Sequence, residues 1–167
     1  MPSSHLLIIG DRAALSWVVT EQRMAFPAGG AKAARALEEG DENFLYTTRG
    51  CFRNPTRDRG RIVGRATIAG PVRALDEPVV LGERPSRRTA AWRCPAWPAS
   101  ARDSVLRDLV PRLSVLPDPA TWSVRMRRAS LTLPAADADL VRTEVEPLLR
   151  PYDETAEGYR WKERVRG

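Results

Sequence analysis

Five arginines crowd one short stretch of this chain: Arg49, Arg53, Arg57, Arg59 and Arg61, interrupted by Gly50, Pro55 and Gly60. A guanidinium presents a planar fork of donors that matches phosphate, so a loop of this kind suits an anionic partner. Arg125, Arg127 and Arg128 make a second cluster. The plainer reading of both is solvated surface, with Asp58 offsetting Arg57 and Arg59. Arg125 alternates with Val124 and Met126, which also fits an inward, structural role. Cys51 sits in the arginine loop, where positive charge can activate a thiol. His5 is the only histidine and stands at the chain start, so nothing is at hand to activate Cys51. A buried small residue is the better reading for Cys51, and a packed or hydrogen-bonded one for His5. There is no Gly-rich phosphate loop, metal-ligand spacing or paired-carboxylate motif. Asp137 and Asp139 read as partners of a helix dipole. The residue types therefore point to binding, with neither an enzyme nor a cofactor expected.

The 167 residues suit one domain with a real core, and Lys+Arg 27 against Asp+Glu 21 gives a net charge of +6. Arginine supplies nearly all of the positive charge, since the lysines are Lys32 and Lys162 alone. That balance favours nucleic acid modestly, because a GC-rich gene would also replace lysine with arginine. No run approaches the roughly 18 to 20 apolar residues of a membrane span. MPSSHLLIIGDR lacks the basic start and the apolar length of a signal peptide. Cys51 and Cys94 form neither a disulfide framework nor a zinc pattern. A cytoplasmic protein with reduced thiols and no membrane partner is expected.

The elements that must position these groups follow from pattern. His5 to Ile9 is an apolar run ended by Gly10-Asp11, a buried first strand. Asp11 can cap a helix through Val19, with Leu15, Val18 and Val19 on one face. Residues 20–31 read as loop, and Ala31 to Glu39 as a second helix stopped by Gly40. Phe44 to Thr48 and Ile62 to Ile68 read as two strands pinning the arginine loop. Pro78 to Gly82 reads as a further strand and Leu106 to Leu113 as a short helix, broken near its end by Pro111. Ser130 to Leu133 alternates as a strand, and Pro134 to Leu149 reads as the last helix. Residues 1–150 are expected to form one domain, and 151–167 a loose charged tail.

Residues 86–104, SRRTAAWRCPAWPASARDS, have neither period. A structureless loop of this length within a compact domain needs an explanation. One is a lid whose Trp92 and Trp97 stack on a ligand. The other, ranked ahead of it, is a displaced reading frame. Shifting Ser86 to Ser100 by one nucleotide with plausible GC-rich codons gives approximately PPHGCVAVSGLARV, a turn and an alternating strand.

The order of features resembles a known family. A first strand leads to a helix bearing Ser16-Trp17, then Gly40-Asp41 before a strand ending Tyr46-Thr47-Thr48. Ile62-Val63-Gly64-Arg65-Ala66 follows, and Trp122-Ser123-Val124-Arg125 precedes a final helix. This order is similar to the EVE domain, a branch of the PUA-like superfamily related to YTH readers. The loop from Thr47 to Asp58 looks like that of small actinobacterial EVE-like proteins. The likeness covers residues 4–150 apart from the stretch at 86–104, and it rests on order rather than on any single motif. It implies an α+β fold, a PUA-like bent β-barrel or sheet flanked by helices. It also implies binding of DNA or RNA with a modified, flipped base held among aromatics. The chain departs from better-known members between Met24 and Ala36, where Ala25-Phe26-Pro27-Ala28-Gly29-Gly30 replaces a Trp- and Arg/Asn-rich segment.

A base-reading pocket needs flat faces for stacking and polar groups for the base edge. Trp17, Phe26 and Tyr46 are the candidate faces, and Ser16, Thr48 and Asn54 the candidate edge contacts. Trp17 as a core residue of its helix is an equal reading. Arg49, Arg53, Arg57 and Arg125 are the candidate phosphate contacts. A small-molecule or nucleotide-metabolite binder using the same pocket is the alternative, separable by its weaker salt dependence.

Overall fold

The computed structural model describes residues 1–52, 60–81, 84–98 and 106–161, with the backbone alone at 84 and 92–98. Eight strands are present: β1 (Ser4–Ile9), β2 (Arg23–Pro27), β3 (Glu42–Thr47), β4 (Arg61–Ile68), β5 (Arg73–Leu81), β6 (Arg84–Pro98), β7 (Ser130–Leu133) and β8 (Leu149–Pro151). They pair in the order β2-β6-β4-β3-β1-β7, with β5 and β8 also on β6. Among the described residues only β1 and β3 run parallel, in register from Ser4 opposite Glu42 to Ile9 opposite Thr47. Among the described residues the sheet stays open and closes no barrel. The helices are α1 (Arg12–Glu21), α2 (Ala31–Arg35), α3 (Leu106–Leu109), α4 (Trp122–Arg125), α5 (Ala135–Val145) and α6 (Tyr152–Tyr159). The expected mixed α+β class is therefore present.

Because side chains alternate across a strand, the sheet feeds two cores. Leu7, Ile9, Leu45 and Val63 point to one, where Leu15, Val18 and Val19 of α1 cover them. Leu6, Phe44, Tyr46 and Ile62 point to the other, covered by Ala138, Val141 and Val145 of α5 and by Leu106, Leu109 and Leu113. Each fully buried side chain of this size contributes about 1.5–3 kcal/mol, so the two layers fix α1 and α5 on opposite faces. A parallel β1–β3 pair requires a long crossover, and α1, β2 and α2 lie within it.

Several expectations need correction. The stretch at 20–31 is not a loop. Gln22 takes the left-handed conformation (φ 52°) at the end of α1, and β2 starts one residue later. Met24, Ala25 and Phe26 are all buried, so that strand shows no alternation to read. The second helix stops at Arg35, short of Glu39.

The aperiodic segment is no lid over Arg84–Pro98; it is the longest strand. Its first half pairs with β2 and β5, and its second half with β4 and β8. Pro95 falls at a register irregularity, between Thr67 opposite Arg93 and Arg65 opposite Ala96, where a proline is tolerated. The side chains of Trp92 and Trp97 lie outside the described residues.

Nor is the segment after Pro151 loose as far as Tyr159. Thr155, Ala156 and Tyr159 bury one side of α6 against the first core, and Tyr152 Oη donates to the Val19 carbonyl at 2.7 Å. Its charge and its shortage of aliphatic residues are what make it read as a tail in the sequence.

Candidate nucleic-acid interface

The carboxyl ends of β1 and β3 come together beside the start of α1. Thr48 N donates to the Ile9 carbonyl (3.0 Å), and Cys51 N to the Thr48 carbonyl (3.0 Å), which turns the chain out of the sheet. Asp11 accepts from the amides of Ala13 (2.8 Å) and Ala14 (3.1 Å), so α1 is capped by its own sequence. Arg12 is thereby set at the first helical position, its guanidinium 4.9 Å from the centre of the Phe52 ring. Such stacking is favourable and more so when desolvated. Arg12 Nη1 is buried and has no hydrogen-bond partner among the described residues. Burial pushes the Arg12 pKa down, while nearby Cys51 and Tyr159 act the other way. An arginine keeps its charge throughout the accessible pH range, so this half-enclosed cation calls for an acceptor.

One turn along α1, Ser16 is engaged by the far end of the chain. Trp161 N donates to Ser16 Oγ at 2.9 Å, and Ser16 Oγ lies 3.5 Å from the Trp161 carbonyl. Ala13, Trp17, Thr20 and Glu21 continue the same side of the helix. With Ser16, Leu81 and Trp161 they line an open depression of about 380 Å³.

Of the expected site residues, Ser16, Trp17, Thr48 and Arg49 are placed on or beside this end of the molecule. Thr48 is half-buried and Arg49 exposed. Arg53, Asn54 and Arg57 lie outside the described residues. Phe26 and Tyr46 are 1% and 2% exposed, each locked in a core, and neither offers a stacking face. Tyr46 is further enclosed by Gly60 (φ +72°), where a Cβ would collide with its hydroxyl. Arg125 is exposed rather than inward. It sits on α4, whose flanking Trp122 and Met126 pack on the opposite core, so it does not join α1. Sequence reasoning missed Arg12, Phe52, Glu21 and Trp161. Arg12 after an Asp cap was a usable signal; Trp161, in a segment read as a tail, had none.

The amino ends of the same two strands look quite different. His5 is 2% exposed, with Nε2 3.0 Å from Asp41 Oδ2 and Nδ1 3.3 Å from Thr132 Oγ1. Asp41 also accepts from Ser3 N (2.8 Å) and Glu38 N (2.9 Å). Burial alone would raise its pKa, but the amides of Glu38 and Ser3 together with His5 hold it below the usual range. Glu42 accepts from Arg65 Nε (2.6 Å), Arg142 Nη2 (2.6 Å) and Ser4 Oγ (3.0 Å). Against its own burial, these donors likewise depress its pKa. Asp137, read as a helix-dipole partner, is buried and accepts from Ser114 N (2.9 Å), Ser114 Oγ (3.0 Å) and Val115 N (2.7 Å). Cys51 is fully buried, in keeping with its reading as a small packed residue. Among the described residues no cluster of His, Cys, Asp and Glu could hold a metal, and no helix is long and apolar enough to cross a membrane.

No family model matches the sequence, and no curated protein matches it either. Solved structures do. A protein of Rhodopseudomonas palustris, solved by NMR, is similar at a TM-score of 0.54 and 17% identity, covering 87% of this chain and 94% of that one. A hypothetical protein from Leishmania major is similar at 0.53 and 13%, covering 88% and 97%. The human THYN1 protein, in complex with DNA containing 5-methylcytosine, is similar at 0.52 and 14%, covering 84% and 96%. At these identities the likeness is one of fold. The chain shares the α+β fold of these structures over most of its length.

Proposed function

We propose that this chain is a non-enzymatic module that binds nucleic acid and reads a modified base in DNA or RNA. Arg12 carries the reading. It is a stacked, half-enclosed guanidinium whose buried nitrogen has no acceptor among the described residues, at the carboxyl ends of a parallel strand pair. The exposed part of the same guanidinium suits a phosphate oxygen, and the start of α1 adds a favourable dipole. The shared fold with a protein solved on methylated DNA supports the same reading. Thr48 and Arg49 follow the end of β3, and Arg53, Asn54 and Arg57 come next in sequence. In this reading they extend the contact along a strand, and Trp17 offers the first stacking face.

The test is fluorescence anisotropy with short labelled DNA and RNA strands, carrying plain or modified cytosine or adenine, at two salt concentrations. Binding should tighten for one modified base and weaken steeply with salt. Arg12→Ala should cost about tenfold in affinity, the value of one charge-assisted hydrogen bond, and lower the salt slope by about 1. Arg53→Ala and Arg57→Ala should weaken binding in the same salt-dependent way. Absence of binding to every strand would sink the reading in favour of a small ligand.

A further inference from the structure

We propose that Trp161 joins Trp17 as the second aromatic wall of a base-binding cleft on α1, and that Glu21 selects a base bearing an exocyclic amino group. The inference rests on the nucleic-acid reading above and names the part of the ligand that enters this depression. Three observations carry it.

First, two indoles line one depression, and both are partly exposed, unlike Phe26 and Tyr46. Partly exposed tryptophan is the usual platform for an unstacked base, because every base presents a π-face. Second, Trp161 is held there by design of the chain. Its amide donates to Ser16 Oγ across 145 positions of sequence, and the helix before it is fastened to α1 by Tyr152. Ser16 is thus a positioning residue for Trp161 rather than a reader of the base.

Third, Glu21 occupies the last turn of α1, where no basic side chain is present. A carboxylate there faces the negative end of the helix dipole, so helix stability does not account for it. In the cleft it repels phosphate and accepts a hydrogen bond, which fits the amino group of cytosine or adenine better than the carbonyl edge of thymine. The depression, about 380 Å³, is open to solvent and has room for a single base stacked on its tryptophans.

Labelled oligo-dC, oligo-dA and oligo-dT of equal length provide the probes, read by anisotropy at one salt concentration. The wild type should favour dC or dA over dT. Trp161→Ala should weaken binding to all three by about five-fold or more, the loss of one stacking contact, while Trp161→Phe keeps most of it. Glu21→Gln should erase the preference and leave the folded protein intact, with thermal unfolding as the control. Unchanged affinity in Trp161→Ala, or an unchanged preference in Glu21→Gln, overturns the cleft. If Arg12→Ala weakens binding while those two variants behave as wild type, the cleft is wrong and the nucleic-acid reading stands. If the wild type binds none of the strands in DNA or RNA form, both fall.

Discussion

The two ends of the parallel pair β1–β3 are built on opposite electrostatic terms. At the amino ends, buried and half-buried charges are matched. Asp41 holds His5 and two amides, and Glu42 joins Arg65 of β4 to Arg142 of α5. At the carboxyl ends, Arg12 is half-enclosed over Phe52 with a nitrogen that none of the described residues satisfies. A matched network rigidifies, whereas an unmatched buried charge costs stability unless a ligand completes it. One end therefore secures the sheet, and at the other the proposed reading assigns Arg12 to a ligand. Ligands of open sheets gather at the carboxyl ends of parallel strands, and the proposed site follows that polarity with the pair β1–β3.

The contrast can be broken most sharply at the secured end. Asp41→Ala removes the acceptor for two amides and His5 in a site 3% exposed. It should lower stability by about 3 kcal/mol in urea unfolding, the scale of losing a buried charged acceptor, and leave oligonucleotide affinity alone. Arg12→Met tests the other end with the opposite sign. The methionine keeps the apolar stem against Phe52 and drops the charge. Stability should hold or rise by up to about 1 kcal/mol, while nucleic-acid affinity falls. A loss of stability comparable to that of Asp41→Ala would mean Arg12 is structural.

The smallest effect is in the acid limb. Asp41 and Glu42 have folded pKa values below their unfolded ones, so between the two the unfolded chain binds more protons. Stability from these groups is complete above the unfolded values, about 4 for both, and drains away as pH falls below them. Paired Asp41→Asn and Glu42→Gln substitutions should flatten the stability slope below about pH 4 and leave the neutral range parallel to wild type.

What the sequence disclosed tracks how local the determining contacts are. β1, the Asp11-capped α1, the β3–β4 hairpin, β7 and the break at Pro111 all follow from neighbours in the chain, and all are present. β2 was illegible because Met24-Ala25-Phe26 is buried without alternation. β6 was illegible because its partners change along its length, from β2 and β5 to β4 and β8, so no single period describes it. If a displaced reading frame also underlies that mixed pattern, sequencing the gene across Ser86 to Ser100 will show compensating single-nucleotide shifts at its ends. Ser16, Trp17 and Thr48, named with the resemblance, and Arg49, named from the arginine cluster, lie at one end of the molecule. Phe26 and Tyr46 were chosen for ring type, yet ring type says nothing of which face a strand buries. Trp161 depends on a contact spanning 145 positions, which no local pattern encodes.

The central place of β6 has a consequence for biosynthesis. β2 pairs with β6 and with no other strand among the described residues, so its hydrophobic edge emerges from the ribosome long before its partner. β1, β3 and β4 can zip together as they appear, but Met24 and Phe26 must wait until translation has passed Arg84. Non-local pairing of this kind is slow, and unpaired strand edges attract one another. During that interval the nascent chain should be a client for chaperones, a vulnerability that ends when β6 is delivered whole.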